Sequence, residues 1–127
     1  MGQKRILIVD DDEDLVLAIR LTLESAGYAV DSASDGAKGI AKMRAALPNL
    51  VLMDVMMANP LDGFYTTQEI ADDPQLHHVP ILMMSSITTT QYAASFPTDQ
   101  YLQILDFIPK PIDPTALLSR IKGILKD

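Results

Sequence analysis

Three of the chain's continuously apolar stretches end abruptly in acids or hydroxyls. Ile6-Leu7-Ile8-Val9 stops at Asp10-Asp11-Asp12-Glu13-Asp14, Leu50-Val51-Leu52-Met53 stops at Asp54, and Ile81-Leu82-Met83-Met84 stops at Ser85-Ser86. Short apolar runs without alternation are the pattern of strands buried on both faces. Tyr28 to Ala33 reads as another strand, less apolar and so nearer a sheet edge, and Asp106 to Pro109 as a short fifth. Helical spacing fills the gaps. Asp12 is placed to cap a helix with Leu15, Ile19, Thr22 and Leu23 on its inner stripe, and Gly27 stops it. A second helix starts at Asp35-Gly36, carries Ala37, Ile40, Ala41 and Arg44 at helical spacing and ends near Leu47-Pro48. A third runs from Gly63 to about Ala71 with Phe64, Thr67 and Ile70 on one side. Asp113 caps a last helix with Pro114 at its first position and Leu117, Ile121, Ile124 and Leu125 recurring along it. Ile87 to Leu105 is the least legible part: Thr88-Thr89-Thr90 suits a helix start, but Pro97 interrupts it.

Five strands alternating with about five helices predict a three-layer α/β fold around a parallel sheet. Right-handed crossovers put every strand's carboxyl end on one edge, and ligands of open α/β sheets bind in the crevice outside that edge. The edge gathers Asp10, Asp11 and Asp12 after the first strand, Asp54 after the third, Ser85 and Ser86 after the fourth and Lys110 after the fifth.

Length and composition narrow the classes. The 127 residues, 48% of them apolar, suit one domain spanning the chain, with no output domain expected. There is no cysteine, which removes disulfides and thiolate metal sites. No apolar run is long enough for a membrane span and no signal-like segment precedes Asp10, so a cytoplasmic protein without membrane association is expected. The net charge of −7, with ten scattered Lys and Arg, argues against direct nucleic-acid binding.

The edge residues make chemical sense together. Carboxylates converging on a small volume repel one another and suit a hard divalent cation such as Mg²⁺. Such an ion would orient an incoming phosphoryl group for attack by Asp54, with Lys110 as a point charge and Ser85 as a hydroxyl donor for phosphoryl oxygens. Taken singly, each residue has a plainer reading: the 10–14 acids as a helix cap, Asp54 as a strand-end polar residue, Lys110 as a surface lysine, the methionines as core filling, and His77 and His78 as surface loop residues.

The motifs ILIVDDDEDL at 6–15, LVLMDVMM at 50–57 followed by LDG at 61–63, PILMMSS at 80–86 and FIPKP at 107–111 occur in an order and spacing that resemble a response-regulator receiver domain of two-component signalling, of the CheY-like superfamily. The resemblance covers essentially the whole chain. It implies a flavodoxin-like doubly wound five-stranded parallel sheet of order 2-1-3-4-5, with helices on both faces. It implies Asp54 as phosphoacceptor, Asp10 and Asp11 with Asp54 and the Met56 backbone carbonyl as ligands of Mg²⁺ (or Mn²⁺), Lys110 and Ser85 as phosphoryl contacts, and Ser85 and Phe107 as a switch pair. The Lys110–Pro111 bond is often cis in the family. The implied partners are a histidine kinase or histidine phosphotransfer domain and a downstream effector reading the face of the fourth helix, fifth strand and fifth helix. Dimerisation on phosphorylation stays open. A domain of this kind is not an enzyme in the ordinary sense, beyond its own phosphorylation and dephosphorylation.

The chain departs from the family pattern in places. An extra residue stands between Asp54 and Asp62-Gly63, a few more separate Ser85 from Lys110, Phe107 replaces the commoner Tyr and Ser86 a usual Ala. Two other functions stay open on sequence alone. Asp10-Asp11-Asp12 satisfies the D-x-D pattern of a haloacid-dehalogenase-like phosphatase with Asp10 as nucleophile, although Asp14 stands where that family wants Thr or Val. A phosphorylation-independent pseudo-receiver is the other, although none of the acids nor the lysine is lost.

Overall fold

A computed structural model describes residues 3–55, 57, 62–85 and 104–126, of which 104–107 by backbone alone. Its strands are β1 (Arg5–Val9), β2 (Ala29–Ala33), β3 (Leu50–Asp54), β4 (Ile81–Ser85) and β5 (Ile104–Pro109). The described helices are α1 (Glu13–Ser25), α2 (Gly36–Ala45), α3 (Asp62–Asp72) and α4 (Pro114–Leu125). All pairings are parallel and the order is β2-β1-β3-β4-β5, the doubly wound arrangement expected. The fifth strand begins two residues earlier than its sequence suggested, with a register irregularity between Ile81 and Leu82 on its neighbour.

Strand alternation splits the interior in two. Ile6, Ile8, Leu50, Leu52, Leu82 and Met84 pack with Ile19 and Leu23 of α1 and Leu117 and Ile121 of α4. The alternate residues Leu7, Val9, Val51, Met53, Ile81 and Met83 pack with Met43 of α2 and with Phe64 and Ile70 of α3. Both faces of the central strands are therefore covered, which is why β1, β3 and β4 are apolar at successive positions rather than at every second one. Burying each such side chain is worth at most about 1.5–3 kcal/mol. Strand β2 has helix cover but lies at the sheet edge, and most of its residues are only half-buried, as its mixed composition implied.

The helix ends follow their caps. Asp12, Asp35 and Asp113 sit at the N-caps of α1, α2 and α4, each side chain accepting a backbone N–H from the first turn. Gly27, at φ +99°, turns the chain out of α1 toward β2, a conformation that a side chain would strain. The inner stripe of α2 differs from the sequence reading: Gly39 and Met43 are buried and Ile40 partly so, whereas Ala37, Ala41 and Arg44 face solvent. Gly39 leaves no mark in an apolar pattern because it contributes no apolar surface. Its missing side chain is what admits Val9, whose Cγ2 would lie 2.9 Å from a β-carbon there.

Candidate functional site

The site is built by strand parity. Asp10 follows Ile8 by two positions and Asp54 follows Leu52 by two, so both carboxylates project on the α1/α4 side of the sheet, just past its apolar core. β1 and β3 are neighbours with Val9 opposite Met53, which sets Asp10 beside Asp54. Backbone bonds continue the sheet beyond the last strand residues: the Asp10 N–H donates to the Ala33 carbonyl at 3.0 Å, Val55 N–H to the Met84 carbonyl at 3.0 Å, and Lys110 N–H to the Ser85 carbonyl at 2.7 Å. The last of these delivers Lys110 to the same edge, over the end of β4. The Lys110–Pro111 bond is cis.

Lys110 bridges the two acids. Its Nζ stands 3.0 Å from Asp10 Oδ2 and 3.1 Å from Asp54 Oδ1, while the side chains of Asp10 and Asp54 are 0% and 4% exposed. The other Asp10 oxygen, Oδ1, accepts the backbone N–H of Asp12 at 2.9 Å. That bond folds the acidic loop back on itself as Asp12 begins α1. Burial pulls the Lys110 amine toward its neutral form, but the Asp10 hydrogen bond and the negative charges of Asp10 and Asp54 outweigh it, and its pKa lies above the usual lysine value of 10.5. The ammonium is held as a cation.

Asp11 completes an acidic trio. One carboxylate oxygen from each of Asp10, Asp11 and Asp54 lies within 4.8 Å of the others, and Asp11 is exposed where the other two are buried. Three carboxylates against one ammonium leave two formal negative charges. Oxygen donors with that residual charge fit a hard divalent cation. Mg²⁺ holds oxygens at about 2.0–2.1 Å, so opposite ligands stand about 4 Å apart, within a small side-chain adjustment of the spacing here.

Two features of the edge escaped the sequence reading. Gly63, in the first turn of α3, donates its N–H to the Val55 carbonyl at 2.8 Å. A β-carbon on it would lie 2.0 Å from the Asp54 carbonyl oxygen and 2.8 Å from Val55 Cα. α3 thus presses directly on the backbone that carries Asp54, and the Asp-Gly pair after the loop was the available signal. The second is the bond made by Thr67, which lies on the buried side of α3 with Phe64 and Ile70 as its spacing implied: its hydroxyl donates to the Gly63 carbonyl at 2.8 Å and holds that turn in place.

Ser85 ends β4 as a buried residue, and its hydroxyl makes no hydrogen bond among the described residues. It has the strand parity of Ile81 and Met83, so it approaches the edge from the α2/α3 side. Asp12 serves as the helix cap expected of it, and His77 and His78 are exposed, ring to ring, in the turn before β4. Met56, Ser86, the Phe107 side chain, the 58–61 loop and the 86–103 segment lie outside the described residues.

A doubly wound parallel sheet with an acidic trio and a bridging lysine at its carboxyl edge defines a CheY-like α/β signalling domain. The chain belongs to the response regulator receiver domain family, whose sequence profile matches residues 6–122. It is 32% identical to the response regulator PleD of Caulobacter vibrioides over 129 aligned positions, covering 96% of this chain and 26% of PleD. It is 31% identical to the protein PilH of Pseudomonas aeruginosa, covering 95% of this chain and 97% of PilH. The solved structure of the chemotaxis response regulator CheY4 of Vibrio cholerae superposes with a TM-score of 0.83 at 26% identity, covering 97% and 99% of the two chains. Against several other curated relatives the chain spans about half of their length, 49% in one case. No helix among the described residues is long and apolar enough to cross a membrane.

Proposed function

We propose that the chain accepts a phosphoryl group on Asp54 from a histidine kinase or histidine phosphotransfer domain, and that the phosphorylated form signals to a downstream effector. The observation that carries this reading is the Lys110 ammonium 3.1 Å from Asp54 Oδ1 in a pocket shared with Asp10 and Asp11. In the transfer, the P–N bond of a phosphohistidine breaks as a P–O bond to an Asp54 oxygen forms. The nitrogen recovers its lone pair and the imidazole leaves. Asp10, Asp11 and Asp54, with the Met56 carbonyl, would hold Mg²⁺ or Mn²⁺, which when bound neutralises charge on the phosphoryl oxygens. Lys110 is already aimed at the carboxylate that would carry the phosphoryl group and needs only to exchange a carboxylate oxygen for a phosphoryl one. The Ser85 hydroxyl, uncommitted among the described residues, supplies a hydrogen bond to another. Its movement, coupled to Phe107, would pass the change to the surface around β5 and α4.

Asp10 is poorly placed as a nucleophile in its own right, since one oxygen is tied to Asp12 and the other to Lys110. The test is phosphorylation by phosphoramidate and Mg²⁺ with acid quench and intact-mass analysis. One phosphoryl group per chain, absent from Asp54→Asn, is expected. Label that survives in Asp54→Asn and maps to Asp10 assigns the dehalogenase-like chemistry instead, and no label under any metal leaves a pseudo-receiver.

A further inference from the structure

Beside the Asp54 pocket, on the α2/α3 side of the same edge, lies a groove of about 610 Å³ between the first turns of α2 and α3. Asp11 forms its inner wall and is also the exposed member of the acidic trio, so anything seated in the groove ends at the rim of that pocket. Asp35, Asp62 and Glu69 are the other acids in its lining, and no Lys or Arg is among its described lining residues. On α3, Asp62, Tyr65, Thr66 and Glu69 recur three and four apart and therefore share one face. Tyr65 stands 56% exposed on that face although it is the largest side chain there.

The acids alone would be a solvated rim, but Thr66 sets this groove apart. It is 8% exposed, its hydroxyl forms no hydrogen bond among the described residues, and it lies against Gly36, where a β-carbon would come within 2.0 Å of Oγ1. The lining thus combines the hydroxyl of a buried residue with carboxylates and an aromatic ring, a set of acceptors around a flat surface. A planar guanidinium fits it: the fork pairs with a carboxylate, the plane stacks on Tyr65 and a further N–H reaches the Thr66 hydroxyl. A lysine ammonium satisfies the charge and leaves the ring and the floor unused.

We infer that this groove seats an arginine-bearing basic segment of the protein that delivers the phosphoryl group, docking it next to Asp54. The identity of that partner rests on the phosphoacceptor reading; the arginine preference of the groove does not. Charge complementarity supports it, since a chain of net charge −7 with acids around its pocket draws in a basic partner and slows its departure less as salt rises.

The probe is a tetra-arginine peptide, with tetra-lysine as comparator, titrated into the full chain and followed by amide chemical shifts. Saturable shifts confined to residues 35–37 and 62–69, weaker with tetra-lysine, are expected. Tyr65→Ala and Glu69→Gln should each weaken the arginine peptide about threefold. Both positions are solvent-facing on α3, and circular dichroism checks that the variants fold. Absence of saturable shifts there, or equal binding of the two peptides that Tyr65→Ala leaves unchanged, overturns the inference. Phosphoramidate labelling of Asp54 should persist in both variants. Loss of labelling from the unsubstituted chain sinks the phosphoacceptor reading while leaving the peptide result standing.

Discussion

The Lys110 bridge and the Lys42–Asp31 pair use the same two kinds of charged group and differ in everything that determines their worth. Lys42 reaches Asp31 at 2.8 Å across the open side of β2, with both side chains more than two-fifths exposed. Water solvates both ions with or without the pair. At the carboxyl edge Asp10 and Asp54 have given up their water, and Lys110 is the cation among the described residues that compensates them. Removing one partner from a buried set leaves an uncompensated charge, whereas removing one from an exposed pair leaves a hydrated ion. The first arrangement is therefore tightly coupled to whatever cation or anion arrives; the second mainly joins α2 to its strand.

Breaking the bridge should have the largest effect. Lys110→Met is expected to lower unfolding stability by about 3 kcal/mol in metal-free buffer, read from urea midpoints. Adding Asp10→Asn to it should recover part of that loss, because one of the stranded charges is gone, and Mg²⁺ should stabilise Lys110→Met more than the unsubstituted chain. If Lys110→Met and the double variant unfold at the same urea concentration, the coupling is absent.

Gly63→Ala tests whether the edge is held by backbone contact as well as by charge. The added methyl meets the Asp54 carbonyl and Val55 Cα, neither of which can rotate away, and a loss of about 2 kcal/mol is expected. Phosphoryl incorporation should fall with it, since Asp54 must shift. Gly36→Ala is the comparison: its added methyl meets only the Thr66 side chain and no backbone atom, so a smaller loss than that of Gly63→Ala is expected.

Lys42→Ala should alter stability by less than about 1 kcal/mol, and high salt should remove even that. The pH dependence gives the comparison its sign. The Lys42 hydrogen bond holds the Asp31 carboxyl below its ordinary value of 3.8. The pair's contribution is therefore complete above 3.8 and lost as pH falls through the depressed value, so the difference between the parent and Lys42→Ala should vanish only in acid. Lys110 behaves oppositely. With its folded pKa raised above 10.5, its contribution is complete below 10.5 and lost as pH rises through the higher folded value. Urea midpoints at both extremes, in the parent and the two variants, should separate the limbs. A Lys42→Ala difference that survives well below 3.8 would contradict the assignment.

Most of the fold was legible because burial on both faces leaves a plain mark: β1, β3 and β4 each hold four successive apolar residues, and the polar residue that ends each run marks the edge. The caps Asp12 and Asp113, and the start of α2 at Asp35, were legible for an equally local reason, since an N-cap needs only its own first turn. The helix stripe of α2 was not, because Gly39 is inside by virtue of lacking a side chain. Nor was the closeness of Gly63 to Asp54, which depends on how α3 returns against β3.

By itself, the order of residues determined where acids, hydroxyls and an amine would leave the ends of buried strands, because periodicity and strand termini are properties of short segments. Only the tertiary structure decided that Lys110 spans Asp10 and Asp54 and that Asp11 stays in solvent. It also decided that Thr66 is buried against Gly36 in the groove that the acids of α3 line. Those outcomes depend on register between β1 and β3, on the exit of β5 beside β4 and on the approach of two helices, and such long-range geometry is set by packing the whole sheet at once.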